Sequence, residues 1–218
     1  MNQADHPDVS NGADRASAGR SESEEIRAHL NAVFDELSDD RSGVLVDYIP
    51  ELTKVDADAF AISIATIDGT MYGVGDIDAR FTLQSVASPF VYGHVLEEFG
   101  PDFVRQRVGV EPTGNAFNSI VLDRRTRRPM NPMVNAGAIA ISSLVEGNDP
   151  TERLNVVLEL FSKFMGKRPE VDMEVFMSER STGDRNRAIA YLMRNFGSIE
   201  GDIDEVLDLY FQQCSLLA

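Results

Sequence analysis

The sequence predicts a mixed α/β (α+β) fold, a β-hairpin followed by a mostly helical stretch, and three observations carry that prediction. Residues 60–67, FAISIATI, alternate weakly and are rich in β-branched side chains, which is the pattern of a strand. Asp68-Gly69 then supplies a strong hairpin turn, and MYGVGD, from Met71, supplies the returning strand. From residue 86 onward the chain reads as a succession of helices punctuated by Gly, Pro and Asn.

Taken in order, residues 1–20 hold much Asp, Ser, Ala, Asn and Gly and almost no large apolar side chains, so a disordered arm is expected there. Helix is expected from Ser21, where Ser21-x-x-Glu24 forms a capping-box pattern and Ile26, Leu30, Val33 and Leu37 follow at helical spacing. Residues 38–42, SDDRS, read as a turn, and the hairpin comes after it. The helix over 86–99 is stopped by Gly100-Pro101. Residues 109–135, rich in Pro, Gly, Asn and Arg, read as long loops. Helices resume at about 136–146, 151–165, 171–177, 184–196 and 202–213. The expected organisation is an arm over 1–20 and a domain over 21–218. A hairpin alone would leave a sheet with an open edge and an uncovered face, so the domain reads as incomplete at its C-terminal end.

Composition narrows the function classes. At 218 residues, 43% hydrophobic and 26% charged, the chain is that of a globular protein with one domain, or one domain with a helical subdomain. No run approaches eighteen apolar residues, so no membrane span is expected. The N-terminus has neither the basic lead nor the apolar core of a secretory signal. Cys214 is the single cysteine, so no internal disulfide can form, and a cytoplasmic location is expected. A net charge of −16 argues against nucleic acid as a partner. With lysine only at 54, 163 and 167, any carboxylate ligand must be held by local groups and not by bulk charge. Arg124-Arg125-x-Arg127-Arg128 is a local positive spot, read as a solvated loop ahead of a docking site. Neither a metal-ligand spacing nor a glycine-rich phosphate loop is present, so no metal or organic cofactor is expected.

The chemistry centres on residues 81–90, FTLQSVASPF. Ser85 heads a helix, where unpaired backbone N–H groups and the positive end of the dipole favour developing negative charge. One turn on, Ser88 shares its face. In acyl-transfer enzymes of the S-x-x-K type that position holds the lysine that activates the serine. A hydroxyl cannot take that proton near neutrality, and the loss of a general base costs ~10²- to 10⁴-fold in rate. Histidine does not fill the gap: His6 lies in the arm, His29 on the first helix, and His94 two and a half turns past Ser85 on another face.

Five blocks in register make the resemblance specific: Tyr48-Ile49-Pro50-Glu51-Leu52, the Ser85 segment, NPMVNAGAIA over 131–140, SERSTGDRNRAIAYLMRNFG over 178–197, and DLYFQQCSLL over 208–217. From about Asp47 to Leu217 the chain resembles the serine-dependent glutaminases, whose catalytic domain is a β-lactamase/transpeptidase-like sandwich with a helical subdomain. The resemblance implies that the C-terminal sheet strands of that fold are missing here. It implies hydrolysis of L-glutamine to L-glutamate and ammonia, with Ser85 as nucleophile. It further implies ligand contacts from Tyr48, Asn135, Glu179 (to the α-ammonium), Asn186 and Tyr210, and a homo-oligomer. Asp184 and Arg185 are expected to make an ion pair or helix start. The alternative from the same residues is a non-catalytic relic or glutamine/glutamate-binding module, since Ser88 and the missing strands would both remove turnover.

Overall fold

The computed structural model describes residues 10–218, with side chains from residue 22, and these residues cluster into two compact units. The first comprises the described part of Met1–Leu45 together with Asp56–Ala79. Its long helix α1 runs Ser10–Leu37, so the expected capping box at Ser21 lies inside the helix and does not open it. Once a helix is nucleated, each added residue gains a hydrogen bond, and Ala13, Ala16 and Ala18 are strong helix formers, so the helix propagates past the expected start. Of the arm expected over 1–20, residues 1–9 lie outside the described residues.

Strands β1, Ala61–Ala65, and β2, Met71–Gly75, pair antiparallel from Ala61↔Gly75 to Ala65↔Met71, as the sequence predicts. Their turn is fixed by Asp68, whose carboxylate accepts from Thr66 Oγ1, Thr70 N and Thr70 Oγ1, and by Gly69 at φ 87°. Helix α1 packs on the hairpin. Tyr72 is buried there, hydrogen-bonded through its hydroxyl to Ser23 Oγ at 2.9 Å, with the Arg27 guanidinium 5.2 Å over its ring. Phe34 stacks on Phe60 with centroids 5.1 Å apart. These two rings are the unit's aromatic anchor.

The second unit comprises Val46–Val55 and Arg80–Ala218. It contains a 3₁₀ turn at Pro50–Lys54, another at Gln84–Val86, and helices α2 (Ala87–Phe99), α3 (Pro101–Arg107), α4 (Asn135–Ser142), α5 (Pro150–Met165), α6 (Met173–Thr182), α7 (Asp184–Asn195) and α8 (Ile203–Cys214). Helix α4 lies at its centre, with Ala136 through Ser142 all buried and α2, α7 and α8 packed around it. The small residues Ala136, Gly137, Ala138 and Ala140 let those neighbours approach closely. Their contribution to the core comes from Val91 and Val95 of α2, Ile189 and Met193 of α7, and Leu207 and Phe211 of α8.

Three helices start as their sequences dictate: Asp149, Asp172 and Asp202 each accept two backbone N–H groups at the N-termini of α5, α6 and α8. Three expectations change, the first being that the helix expected over 171–177 runs Met173–Thr182 as α6. The helix expected over 136–146 ends at Ser142, beyond which Leu144 N and Val145 N donate to Ile141 O and Ser142 O in a tighter i→i−3 turn. Pro101, expected only to terminate α2, also opens α3 as its first residue, a position that needs no N–H. The last residues run beside Phe81–Leu83: Thr82 bridges Leu217, Leu83 N donates to Leu216 O, and Phe81 and Ala218 exchange backbone bonds. No helix among the described residues is long and apolar enough to cross a membrane.

Candidate functional site

Within the second unit a cavity of about 260 Å³ is lined by Tyr48, Ile49, Phe117, Asn118, Asn135, Glu179, Thr182, Gly183, Arg185 and Asn186. Four of the six residues predicted as a ligand site, Tyr48, Asn135, Glu179 and Asn186, meet in its wall. Each is delivered by local structure. The Pro50–Lys54 turn is tied to α6 by Glu51 N, which donates to Ser178 Oγ at 3.1 Å, and Ile49 beside it is fully buried, so Tyr48 is held at the cavity. Asn135 is the first residue of α4, its N–H donating to Phe117 O at 3.0 Å.

Glu179 and Asn186 come from either side of a tight corner. Gly183 separates α6 from α7, and a Cβ there would stand 2.7 Å from Phe211 Cζ, so only glycine lets the corner sit on α8. That bend folds the span from Glu179 to Asn186 onto one cavity. Asn135 Nδ2 donates to Asn186 Oδ1 at 3.0 Å.

Glu179 is the chemically distinctive group. It is 6% exposed, and its Oε2 has no hydrogen-bond partner among the described residues. Burial raises its carboxyl to about 8. A buried, unpartnered carboxyl costs stability unless something pairs with it. Burial raises Tyr48 as well, reinforced by Glu179 and Cys214. Burial, with Cys214 and Glu179 adding to it, pushes the Tyr210 hydroxyl well above its ordinary range. Tyr210 and Cys214 sit one turn apart on α8, both buried. Tyr210 is thus electrostatically coupled to the cavity while lying outside its wall.

Ser85 is exposed, in the 3₁₀ turn that leads into α2, and is not among the cavity's lining residues. Its predecessor Gln84 takes φ 48°, an uncommon conformation for a residue with a side chain. The turn packs against α8, and the Leu83–Leu216 bond holds it there. Ser88 is 4% exposed on the core face of α2 with Ala87 and Val91. No hydrogen bond joins Tyr48 to Ser85 among the described residues.

Sequence reasoning missed Phe117, Asn118, Thr182 and Arg185 in the cavity wall. For Arg185 the signal was its place beside Asn186 in GDRN. Of the ion pair or helix start expected of Asp184 and Arg185, the helix start holds, because α7 begins at Asp184, while the ion pair joins Asp184 to Arg187 at 3.4 Å. A second hollow, about 840 Å³, is larger but holds none of the predicted residues. Its acidic lining is already engaged in part: Asp149 and Asp202 are helix caps and Glu200 pairs with Arg107. The smaller cavity is the better candidate.

Comparison with known proteins identifies the family. The Glutaminase family profile matches residues 43–218. The glutaminase of Trichormus variabilis is 55% identical over 188 residues, 86% of this chain and 56% of the relative. Glutaminase 2 of Bradyrhizobium diazoefficiens is 47% identical over 201 residues, 92% of this chain and 32% of the relative. Among solved structures, the probable glutaminase ybaS superposes with TM-score 0.85 at 35% identity, covering 89% of this chain and 63% of that one. Mglu in its tris and glutamate form gives 0.83 at 36% identity, covering 88% of this chain and 43% of that one. The chain spans little more than half the length of the first of these relatives.

Proposed function

The chain belongs to the glutaminase family, and we propose that its cavity binds L-glutamine and that Ser85 is the nucleophile of a glutamine amidohydrolase. In this reading Ser85 Oγ attacks the side-chain amide carbonyl and gives up its proton as ammonia leaves, and water then cleaves the ester to release L-glutamate. The observation that carries the binding part is the buried Glu179 carboxyl with an unpartnered oxygen, beside the hydrogen-bonded Asn135–Asn186 pair. A carboxylate receives an ammonium, while two side-chain amides offer donors and acceptors to a carboxylate or an amide, which are the groups of free glutamine. The structure of a relative in its glutamate form supports a ligand of this class.

Tyr210 acts from behind the wall, its hydroxyl raised chiefly by burial, with Cys214 and Glu179 adding to it, and so stays protonated as a donor. A homo-oligomer and a cytoplasmic location complete the reading, supported by family resemblance and by the single cysteine.

A second reading, glutamine binding without turnover, is favoured by Ser88. That residue is a buried hydroxyl on α2, where an S-x-x-K enzyme holds its base. Ammonia and glutamate release from L-glutamine, measured beside a Ser85→Ala control, separates the two. Release that disappears in the control supports the hydrolase. Binding by calorimetry with no release above the control supports the second reading, and no binding removes both.

A further inference from the structure

We propose that strand β1 is an interface on which a second copy of this chain pairs edge to edge, about a two-fold axis at Ser63. This deepens the homo-oligomer reading above and is independent of the glutamine site. Among the described residues the sheet has two strands, so β1 is bonded to β2 on one side and its other side is an open row of backbone groups. The bonds from Thr66 N to Thr70 O and from Asp76 N to Phe60 O bracket the ladder, so Phe60, Ile62, Ile64 and Thr66 turn their backbone groups to β2. The N–H and C=O groups of Ala61, Ser63 and Ala65 therefore point outward, and all three residues are exposed.

The occupant is a second copy because β1 reads the same in both directions: Ala61-Ile62-Ser63-Ile64-Ala65. An antiparallel pairing centred on Ser63 sets each Ala61 opposite the other copy's Ala65, each Ile62 opposite its Ile64, and the two Ser63 residues opposite each other. Every outward group then has a partner, about six backbone bonds in all. The isoleucine pairs fall on the face that carries Tyr72, where Ile64 is 42% exposed, and β-branched pairs across strands are stabilising. Residues 59–67 hold neither a charge nor a proline, the usual guards of an edge strand. The flanking Asp58 and Asp68, opposite each other in this register, are engaged within their own copy: Asp58 pairs with Arg41 at 2.7 Å, and Asp68 accepts from Thr66 and Thr70. The outer edge of β2 is a poorer template. Gly75 there has φ 81°, outside the extended range, and a Cβ on Gly73 would stand 2.9 Å from Ile77 Cγ2, so Ile77 covers that position.

The test is analytical ultracentrifugation of the purified chain between about 1 and 100 µM, beside single-residue variants. The unmodified chain should show a monomer–dimer equilibrium. Ser63→Lys sets two ammonium groups opposite each other and should weaken the dimer by about tenfold or more. Ser63→Pro removes one outward N–H while sparing the ladder to β2, and should weaken it likewise. Under mild oxidation Ser63→Cys should be captured as a disulfide-linked dimer, whereas Ala61→Cys, which faces residue 65, should not. Circular dichroism checks that each variant is folded; should the lysine and proline variants unfold, the two cysteine variants decide. Dimers that survive Ser63→Lys and Ser63→Pro, no crosslink at residue 63, or equal crosslinking at residues 61 and 63 overturn the β1 interface and leave the homo-oligomer standing. A chain that stays monomeric throughout overturns both.

Discussion

Asn135 Nδ2 donates to Asn186 Oδ1 at 3.0 Å, joining the first residue of α4 to the first turn of α7. Each amide keeps its other polar atom for a ligand, so the pair works as one receptor and not as two independent contacts. Asn135→Ala and Asn186→Ala should each weaken L-glutamine binding by about tenfold, because each leaves the partner amide, buried at Asn186 and half-buried at Asn135, unpaired. The double variant should lose less than the product of the two, with a coupling of about 0.5–3 kcal/mol. A calorimetric double-mutant cycle measures it, and strict additivity would show that the two amides act separately.

Glu179 makes both folding and binding depend on pH. Its carboxyl ionises at about 8 in the folded chain against an ordinary value of 4.5, because it is buried. Between those values the folded state holds a proton that the unfolded state has lost. Stability is therefore full below about pH 4.5, falls as pH rises toward 8, and levels beyond. The decline is on the order of 3–5 kcal/mol at most. Denaturant melts across this range should show it, and Glu179→Gln should flatten it. An ammonium ligand prefers the ionised form, so L-glutamine affinity should rise toward pH 8, with proton release seen in buffers of different ionisation enthalpy.

Gly137 in α4 supports the loop that presents Asn135. A Cβ there would collide with Asn131 O and come within 2.8 Å of Pro132 Cα. Alanine ordinarily favours a helix by about 1 kcal/mol over glycine. Here the clash is with backbone, which has no room to move, so Gly137→Ala should destabilise by about 1–3 kcal/mol and weaken ligand binding. A thermal melt with a parallel binding titration checks both; a stabilised variant would mean that the loop yields freely.

Ser88→Lys tests the missing base. If the rest of the site is competent, glutamine-dependent ammonia release should rise by ~10²-fold or more, and Ser85→Ala should cancel the gain. The position is 4% exposed, so the longer side chain should also lower stability by about 1–3 kcal/mol. A folded variant with unchanged release would place the deficiency outside residue 88.

Cys214 is 2% exposed, and burial, reinforced by Glu179, holds its thiol well above the ordinary range. A thiol-disulfide reagent should leave the native chain unlabelled and react fully in denaturant. Fast labelling of the native protein would show that the end of α8 opens readily.

The sequence carried the hairpin and the helical succession because their signals are local: Asp68-Gly69 for the turn and aspartate caps for α5, α6 and α8. It erred where a local signal meets a competing one. Pro101 was read as a stop, yet proline suits the first residue of a new helix equally well. Helix α4 ends at Ser142 in a tighter i→i−3 turn that apolar periodicity does not reveal.

At the site, Tyr48, Asn135, Glu179 and Asn186 were legible through their blocks, and the cavity gathers them. Arg185 was not, because whether an arginine pairs with its neighbour depends on which way the first turn of α7 faces, and Asp184 turned out to pair with Arg187. Nor could residue types say that Tyr210 lies behind the wall and Ser85 outside it. Those facts come from burial, which is a property of the packed helices.

The backbone bonds between Phe81 and Ala218 hold residue 218 beside the segment that leads to Ser85. That point is four residues from Ser85, on the same short stretch that Leu216 holds in place. Any dye, tether or affinity tag joined at Ala218 would therefore begin its path next to the serine and could crowd or mask it.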